Sequence, residues 1–330
     1  MSGAAPNPLR RALWPLGLLY GGAMALRNWG FRSGILRVER VEAPVLSVGN
    51  LTVGGTGKTP AVAWIAERAR SRGRRPAVVA RGYGRVRGAA LNDEGAMLRR
   101  RMPWLVQEQD PDRAAAARRA IARGADYLIL DDGFQHRRLH RDADVLCLDA
   151  GRPFADGFVL PAGDLREFHT GIRRASWLLL TRAGRLSDEQ RRRCAEELRR
   201  LARREIDVFF AEHEPVDVLD LPRGEVRPLS SLRGRRVVLL SAIARPSSFA
   251  ELARELGAEI RDEIRFRDHH RFSRIEVERA AARARDLGAV LLSTEKDAPR
   301  LEPFSVPFCV LRISLGFLGE EPRAAQLLLS

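Results

Sequence analysis

The sequence predicts an α/β protein: a parallel sheet with helices on both faces, followed by a second, smaller α/β domain. Short apolar runs alternate with helix-like segments as far as about residue 210, which is typical of a parallel sheet. A glycine-rich loop at 49–57 joins the first strand signal to a strong helix signal. Turn residues are then concentrated at 222–234, after which a second alternation begins.

The larger, N-terminal domain is predicted to contain most of the sheet. Apolar runs rich in β-branched residues predict buried strands at 44–48, 76–80, 127–130, 144–148 and 176–181, with a short extended segment at 104–107. Apolar residues at helical spacing predict helices at 60–71, 112–123 and 187–204. Pro60 falls in the first turn of its helix, where the missing N–H is harmless.

The remainder of the chain predicts a hinge and a smaller domain. Residues 205–221 are predicted to form one or two strands that can pair with the last strand. Beyond them, the pattern predicts strands at 236–240, 289–293 and 306–315, helices at 249–256 and 275–287, and a loop at 266–272. We therefore divide the chain into an N-terminal region at 1–32, the larger domain at 33–210, a hinge at 211–235 and the smaller domain at 236–330.

The overall charge favours an anionic partner. The 330 residues include 57 basic and 42 acidic side chains, for a formal net charge of +15. Such a balance suits nucleic acid, a membrane surface or a phosphorylated substrate. Aromatic residues make up only 6% and are not interleaved with the arginines, so no base-stacking platform is evident and we predict no nucleic-acid partner. The three cysteines are scattered, which argues against a disulfide framework or a zinc site.

Lysine is almost absent from this basic chain. Only Lys58 and Lys296 are present, and every other basic residue is arginine. A compact lysine ammonium and a planar arginine guanidinium are not interchangeable where the side chain must contact a single phosphate oxygen. Retention of Lys58 therefore indicates a function, whereas Lys296 is either a chance survival or a residue of a hinge or nucleotide-adjacent turn.

The N-terminal residues 12–26 form an uncharged apolar run flanked by arginines. At 15 residues it is shorter than the roughly 20 needed to span a bilayer. We interpret it as an interfacial membrane anchor, with Trp14, Tyr20 and Trp29 at the headgroup level. A helix packed in the core and a cleaved signal peptide are the alternatives.

The stretch SVGNLTVGGTGKTP at 47–60 predicts a phosphate loop. The usual spacing G-x-x-x-x-G-K-[ST] would place a glycine where this chain has Thr52. The strand–loop–helix context nevertheless favours a nucleotide site, the alternative being a glycine-rich turn that ends in GKT by chance. The predicted nucleotide-binding residues are Thr52, Gly54, Gly55, Thr56, Gly57, Lys58 and Thr59. We predict ATP and Mg²⁺ as cofactors, with Lys58 on the β- and γ-phosphates and Thr59 on the metal.

A pair of acidic residues follows an apolar strand. In phosphate-loop proteins a strand that ends in aspartate supplies a second magnesium contact, and Asp131 fits that position. Asp132 and Gln135 follow directly and add polar groups at the same strand end. In an open α/β sheet that end faces the ligand crevice.

Taken together, the motifs resemble the tetraacyldisaccharide 4′-kinase family, the lipid A 4′-kinases. The resemblance rests on SVGNLTVGGTGKTP, ARGYGR (80–85), DDGFQHRRLHRD (131–142), LPAGDLRE (160–167), FRDHHRF (266–272) and STEKDAPRL (293–301), in that order. It implies a phosphate-loop NTPase-like kinase domain at 33–210. It also implies transfer of the γ-phosphoryl of ATP to the 4′-hydroxyl of an acylated glucosamine disaccharide 1-phosphate.

The resemblance also assigns roles to residues. Asp93 matches the family's proposed base and His269 the histidine that pairs with it, while Asp132 is a further catalytic acid and Asp131 a metal ligand. The segment around Asp93 reads Asn-Asp-Glu-Gly where the family has Gly-Asp-Glu-Pro. The residues predicted to line the site are Tyr83, Glu94, Arg113, Gln135 and Glu167.

The resemblance further implies a place in the cell. The lipid substrate and the anionic inner-membrane surface would be the partners, and the protein would lie at the cytoplasmic face of that membrane, held by its N-terminal helix. No obligate protein partner is evident. The alternative function is a GTPase-like or metallochaperone-like switch, because 294–297, Thr-Glu-Lys-Asp, loosely echoes a guanine-reading motif.

Overall fold

In the computed structural model, residues 8–84 and 90–329 are described. Residues 1–7 of the predicted N-terminal region, Arg85 of the ARGYGR motif and Ser330 lie outside them. The helices are α1 (Pro8–Arg11), α2 (Trp14–Arg32), α3 (Lys58–Ser71), α4 (Asp93–Arg101), α5 (Arg113–Ala122), α6 (Asp188–Ala202), α7 (Pro246–Glu255), α8 (Arg274–Asp286) and α9 (Ala298–Leu301). The strands are β1 (Val45–Gly49), β2 (Pro76–Ala80), β3 (Val106–Gln109), β4 (Tyr127–Asp131), β5 (Ala143–Asp149), β6 (Trp177–Thr181), β7 (Asp207–Leu221), β8 (Glu225–Arg227), β9 (Arg236–Ser241), β10 (Glu259–Arg265), β11 (Val290–Thr294) and β12 (Phe308–Phe317).

The chain forms two compact units. Unit 1 comprises Met1–Gly82, Trp104–His213 and Leu315–Ser330, and unit 2 comprises Tyr83–Pro103 and Glu214–Ser314. These units differ from the segments expected from the sequence in two respects: Tyr83–Pro103 belongs to unit 2, and the C-terminal segment from Leu315 belongs to unit 1.

Unit 1 is built on a parallel sheet in the order β3-β2-β4-β1-β5-β6-β7. The central strand β1 pairs with β4 and β5, and Val48 lies beside Asp131 in the register. Every residue of β1, β2, β4, β5 and β6 is buried, because helices or loops cover both faces of a parallel sheet. The carboxyl ends of β1 and β4 therefore place the glycine-rich loop and the two aspartates at the same edge.

In unit 2, four strands are parallel to one another in the order β10-β9-β11-β12. Side chains alternate between the faces of the sheet, so Val238 and Leu240 pack with Val277 of α8 while Val237 packs with Phe249 of α7. The predicted α/β class, with a mostly parallel sheet and flanking helices, is confirmed.

Helix α4 and strand β10 are among the elements of unit 2 that the sequence did not predict. The sequence pattern predicts no helix at α4, because its nine residues include Gly95 and three successive arginines rather than an apolar stripe. The side chain of Asn92 caps it by accepting a hydrogen bond from the backbone N–H of Gly95 at 3.0 Å. Strand β10 is charged because it lies at the edge of the sheet, where half its side chains meet water.

Helix α2 contains the apolar run of the N-terminus and has 19 residues. Its buried positions are glycines, Gly17, Gly21 and Gly30. A Cβ at Gly17 would lie 2.9 Å from the carbonyl oxygen of Val159, so this face of the helix fits closely against the body of unit 1. Among residues 8–84 and 90–329, the helices are all too short or too polar to cross a membrane.

Candidate active site

The glycine-rich loop runs from the end of β1 to the start of α3. Gly57 caps the helix with φ +77°, and Gly54 has φ +100°, both in the left-handed region that favours glycine. A Cβ at Gly57 would lie 2.8 Å from Thr181 Cγ2 and 3.0 Å from His213 Nε2, so a larger residue would not fit. Lys58 and Thr59 are the first two residues of α3. The free N–H groups at a helix N-terminus favour an anion.

Thr52 takes the place of the outermost glycine without requiring a positive φ. Its backbone bridges to Leu165, and its carbonyl accepts a hydrogen bond of 2.7 Å from the Asn50 side chain. The entry to the loop is therefore held as a short antiparallel pair, which a threonine can adopt. A glycine is therefore not required at position 52, because the backbone there has no positive φ.

The end of β6 braces the other side of the loop, a role that the sequence did not reveal. The Thr181 hydroxyl donates to the Thr56 carbonyl at 3.0 Å. Arg182 donates to the Gly55 carbonyl at 2.7 Å and to the Asp149 carboxylate at 2.5 Å. These hydrogen bonds satisfy the carbonyls of Gly55 and Thr56 and so hold this part of the loop.

Asp132 lies within reach of the loop lysine. Its carboxylate is 3.5 Å from Lys58 Nζ, and Arg166 donates to both of its oxygens, at 2.9 and 2.8 Å. Burial acts to raise the pKa of the Asp132 carboxyl, but the positive charges of Lys58 and Arg166 outweigh it and hold that pKa below its ordinary value. The Asp132 carboxylate therefore orients the Lys58 ammonium. Arg166 was not predicted, although it belongs to the quoted LPAGDLRE motif.

Asp131 ends β4 and is buried, with 7% of its surface exposed. Predicted site residue Arg113 begins α5 and is also buried. Burial lowers the pKa of its guanidinium and Arg81 adds to this effect, whereas the charges of Asp132 and Asp131 oppose it. The structure thus brings Arg113, Asp131, Asp132 and Lys58 into one electrostatic group in unit 1.

The half-buried Gln135 and the buried Glu167 belong to one hydrogen-bonded network. Glu167 accepts hydrogen bonds from both terminal nitrogens of Arg174, at 2.8 and 2.9 Å, from Asn28 of α2 at 2.9 Å and from Gln135 at 3.0 Å. Gln135 also donates to the Asn50 carbonyl at 2.9 Å. The pair therefore braces the segment that enters the glycine-rich loop and ties it to α2.

The candidate base lies in unit 2. Asp93 begins α4, and its Oδ2 is 3.8 Å from His269 Nδ1 and 3.4 Å from Arg300 Nε. The structure therefore brings Asp93 and His269 together, with the imidazole at ion-pair distance. Arg300, from the STEKDAPRL motif, has a buried side chain that pairs with the same Asp93 carboxylate. The sequence did not predict this arginine as a site residue.

Two other predicted site residues accompany Asp93 in unit 2. Tyr83 is 83% exposed, and its carbonyl accepts a hydrogen bond of 3.2 Å from Asn92. Glu94 lies in the first turn of α4 and is half-buried. The Tyr83 and Glu94 side chains both remain accessible to a ligand.

Asp297 argues against the guanine-reading alternative. It is fully buried and accepts hydrogen bonds from the backbone of Ala242 at 3.2 Å and from the Thr294 hydroxyl at 2.7 Å, and it also pairs with Arg300. Burial raises its pKa, although Thr294 and Arg300 act in the opposite direction. In a guanine-binding motif the aspartate must be accessible to the base. The Thr-Glu-Lys-Asp segment at 294–297 therefore has a structural role.

His270 anchors the turn that carries His269. Its ring stacks on Phe266 with centroids 4.5 Å apart, and its Nε2 lies 3.1 Å from Glu276 Oε2. The backbone of Ser273 is the largest influence that lowers the pKa of Glu276 to about 2, followed by His270. Of the two adjacent histidines, one is therefore structural while the other faces Asp93.

We expect Glu276→Gln to destabilise the protein at neutral pH, with a smaller effect in acid. The folded-state pKa of Glu276, about 2, lies below its ordinary value of 4.5. The carboxylate therefore stabilises the fold above about pH 4.5 and loses this contribution as the pH falls toward about 2. Urea denaturation near pH 7, 5 and 3 should show the gap to the wild type closing. Glu278→Gln on the same helix is the control, and a gap independent of pH would contradict the assignment.

Comparisons with known proteins point to one family. Residues 9–330 match the family model described as tetraacyldisaccharide-1-P 4′-kinase. A tetraacyldisaccharide 4′-kinase of Anaeromyxobacter sp. (strain K) is 43% identical over 332 residues, which cover 92% of this chain and 87% of that protein. One from Syntrophus aciditrophicus (strain SB) is 36% identical, covering 94% of this chain and 90% of its own.

A solved structure is also similar over nearly the whole chain. It is the crystal structure of LpxK from Aquifex aeolicus in complex with ATP, which superimposes with a TM-score of 0.75 at 26% sequence identity and covers 97% of each chain. The family predicted from the motifs is confirmed: this chain belongs to the tetraacyldisaccharide-1-P 4′-kinase family.

Proposed function

We propose that this protein transfers the γ-phosphoryl group of ATP to the 4′-hydroxyl of a tetraacylated glucosamine disaccharide 1-phosphate, a step of lipid A synthesis. The family match supports the acceptor and the reaction. The observation that carries the phosphoryl chemistry is Lys58 at the start of α3, held 3.5 Å from Asp132 beside a loop with two left-handed glycines. Asp297 gives the alternative, a GTPase-like switch, no support, because its carboxylate is already bonded inside unit 2.

In this proposal the residues of the two units have separate tasks. The N–H groups of the loop and Lys58 neutralise the charge of the phosphates, with Arg166 supporting Asp132 beside them. Asp93 accepts the proton of the acceptor hydroxyl as its oxygen bonds to phosphorus and the bond to the β-phosphate oxygen breaks. His269 and Arg300 orient the Asp93 carboxylate for that transfer.

Thr59 and Asp131 would hold Mg²⁺. A hydroxyl and a buried carboxylate, both hard oxygen ligands, are the chemistry that Mg²⁺ takes from phosphate-loop proteins, with phosphate and water oxygens completing the shell. The pairing of Val48 with Asp131 supports this fit, since it puts the end of β4 beside the strand that leads into the loop. When bound, the metal would supply charge neutralisation at the β- and γ-phosphates.

The test of the proposal is transfer of label from γ-labelled ATP to a purified acylated disaccharide 1-phosphate in detergent with Mg²⁺. The wild type should label the lipid, and Lys58→Ala should reduce labelling by at least about 100-fold. Intact ATP hydrolysis without labelled lipid would retain the nucleotide site but reject this acceptor.

The N-terminal helix is proposed to dock on an anionic bilayer at the cytoplasmic face of the inner membrane. Its glycine face is buried against unit 1, whereas its large apolar residues are exposed; these are Trp14, Leu16, Leu18, Leu19, Leu26 and Trp29. Exposed apolar residues on a helix of a chain with net charge +15 suit insertion at the level of acidic headgroups.

Leu19→Glu combined with Leu26→Glu should weaken binding to vesicles that contain phosphatidylglycerol by at least about tenfold. These leucines are 71% and 66% exposed, so the substitutions should leave the fold intact. Ile275→Glu is the matched control, because Ile275 is 61% exposed but belongs to unit 2. Equal sedimentation of the three proteins with vesicles would exclude α2 as the anchor.

A further inference from the structure

We propose that Lys296 is a positioning residue that fixes the tautomer of His269, so that the imidazole presents Nδ1–H to Asp93. This inference rests on the proposed role of Asp93 as the base. It also accounts for the second of the two lysines in the chain, which neither the phosphate loop nor the fold explains.

The geometry places Lys296 on the far side of the ring from Asp93. Lys296 follows β11, and its Nζ lies 3.1 Å from His269 Nε2 and 3.0 Å from Asp268 Oδ1. The other ring nitrogen, Nδ1, lies 3.8 Å from Asp93 Oδ2. The imidazole is therefore interposed between an ammonium and a carboxylate.

The donors and acceptors leave one arrangement for the ring proton. An ammonium has three donors and no acceptor, so Nε2 must accept from Lys296. A neutral imidazole has a single N–H, which must then be on Nδ1, facing Asp93. At 3.8 Å the Nδ1–Asp93 contact is longer than a hydrogen bond, and it would shorten when a substrate hydroxyl approaches the carboxylate.

Lys296 also balances the charges around the ring. Two carboxylates lie near the imidazole, Asp93 from α4 and Asp268 from its own turn at 3.9 Å. The cation of Lys296 offsets Asp268 and occupies the Nε2 lone pair, while Arg300 faces Asp93 from α9. In this arrangement Asp93 remains the group proposed to accept the proton of the hydroxyl.

The backbone alone does not set the ring orientation. His269 has φ +61°, and its N–H donates to the Ala242 carbonyl at 3.2 Å, which fixes the turn but leaves the ring free to choose a tautomer. An ammonium meets one nitrogen and one oxygen as a point charge, whereas the planar fork of an arginine suits paired oxygens. This difference explains why position 296 is a lysine in a chain whose basic residues, apart from Lys58, are otherwise all arginines.

The experiment is ¹⁵N NMR of the histidine rings in the full chain, with the His269 signals assigned by their loss in His269→Gln. The wild type should show the neutral Nδ1–H tautomer, and Lys296→Met should lose that signature. Arg271→Met is the matched control, since it removes one positive charge from an exposed position two residues away and should leave the tautomer unchanged.

Kinetics separate positioning from a merely structural role. Lys296→Met should lower kcat by about 10- to 100-fold with little change in the KM for ATP. An Nε2–H tautomer in the wild type, or retention of Nδ1–H in Lys296→Met, would overturn the inference. If the tautomer is as inferred but Asp93→Asn keeps wild-type kcat, the proposed base is wrong while the control by Lys296 stands.

Discussion

Asp93→Asn should lower kcat by about 10²- to 10⁴-fold while leaving the KM for ATP nearly unchanged. Asparagine keeps the size of the side chain but cannot accept the proton of the acceptor hydroxyl. The nucleotide groups lie in unit 1 and Asp93 lies in unit 2, so ATP binding should survive the substitution. Initial rates at saturating lipid, measured against ATP concentration, separate the two parameters.

Stability must be measured in parallel, because Asp93 also has structural contacts. Its charge lies at the N-terminus of α4 and 3.4 Å from Arg300 Nε, so the asparagine should cost up to about 1 kcal/mol of folding free energy. That loss is too small to unfold the protein at assay temperature. Asp286→Asn, at the exposed end of α8, is the control for removal of one carboxylate. A kcat within threefold of wild type for Asp93→Asn would assign the base to another group.

The parts of this molecule that were predictable from sequence are those governed by local patterns. The buried strands that end in Asp131 and Thr181 are continuous apolar runs, and such runs signal a strand wherever both faces of a sheet are covered. The phosphate loop is equally local, because the positive φ at Gly54 and Gly57 restricts the residue type at those positions.

What the sequence did not reveal depends on contacts between distant segments. Arg166, Arg182 and Arg300 each contact an acidic group or a backbone carbonyl of the candidate site, but almost all of the 57 basic residues are arginines, so no single arginine is conspicuous. Lys296 of unit 2 was conspicuous, because lysine is rare in this chain. Asp93 was recognised by resemblance alone, since a charged nine-residue helix with an internal glycine resembles a loop in pattern.

Gly57→Ala should lower the free energy of unfolding by about 2–4 kcal/mol and abolish ATP binding at millimolar concentrations. An alanine would have to hold φ +77°, and its Cβ would lie 2.8 Å from Thr181 Cγ2. Thr181 cannot withdraw easily, because its hydroxyl donates to the Thr56 carbonyl and its strand lies inside the sheet. The loop would therefore move, and its N–H groups would no longer point at a common anion.

Gly55→Ala provides the comparison that isolates this cause. Gly55 lies in the same loop without a positive φ, and a Cβ there would meet only the Arg182 side chain at 3.9 Å, an ordinary van der Waals contact. Its free energy of unfolding should stay within about 0.5 kcal/mol of wild type. Denaturant titration and calorimetric ATP binding on both variants would distinguish the two glycines. If both variants unfolded and bound ATP alike, the close approach of Thr181 would not be what requires glycine at position 57.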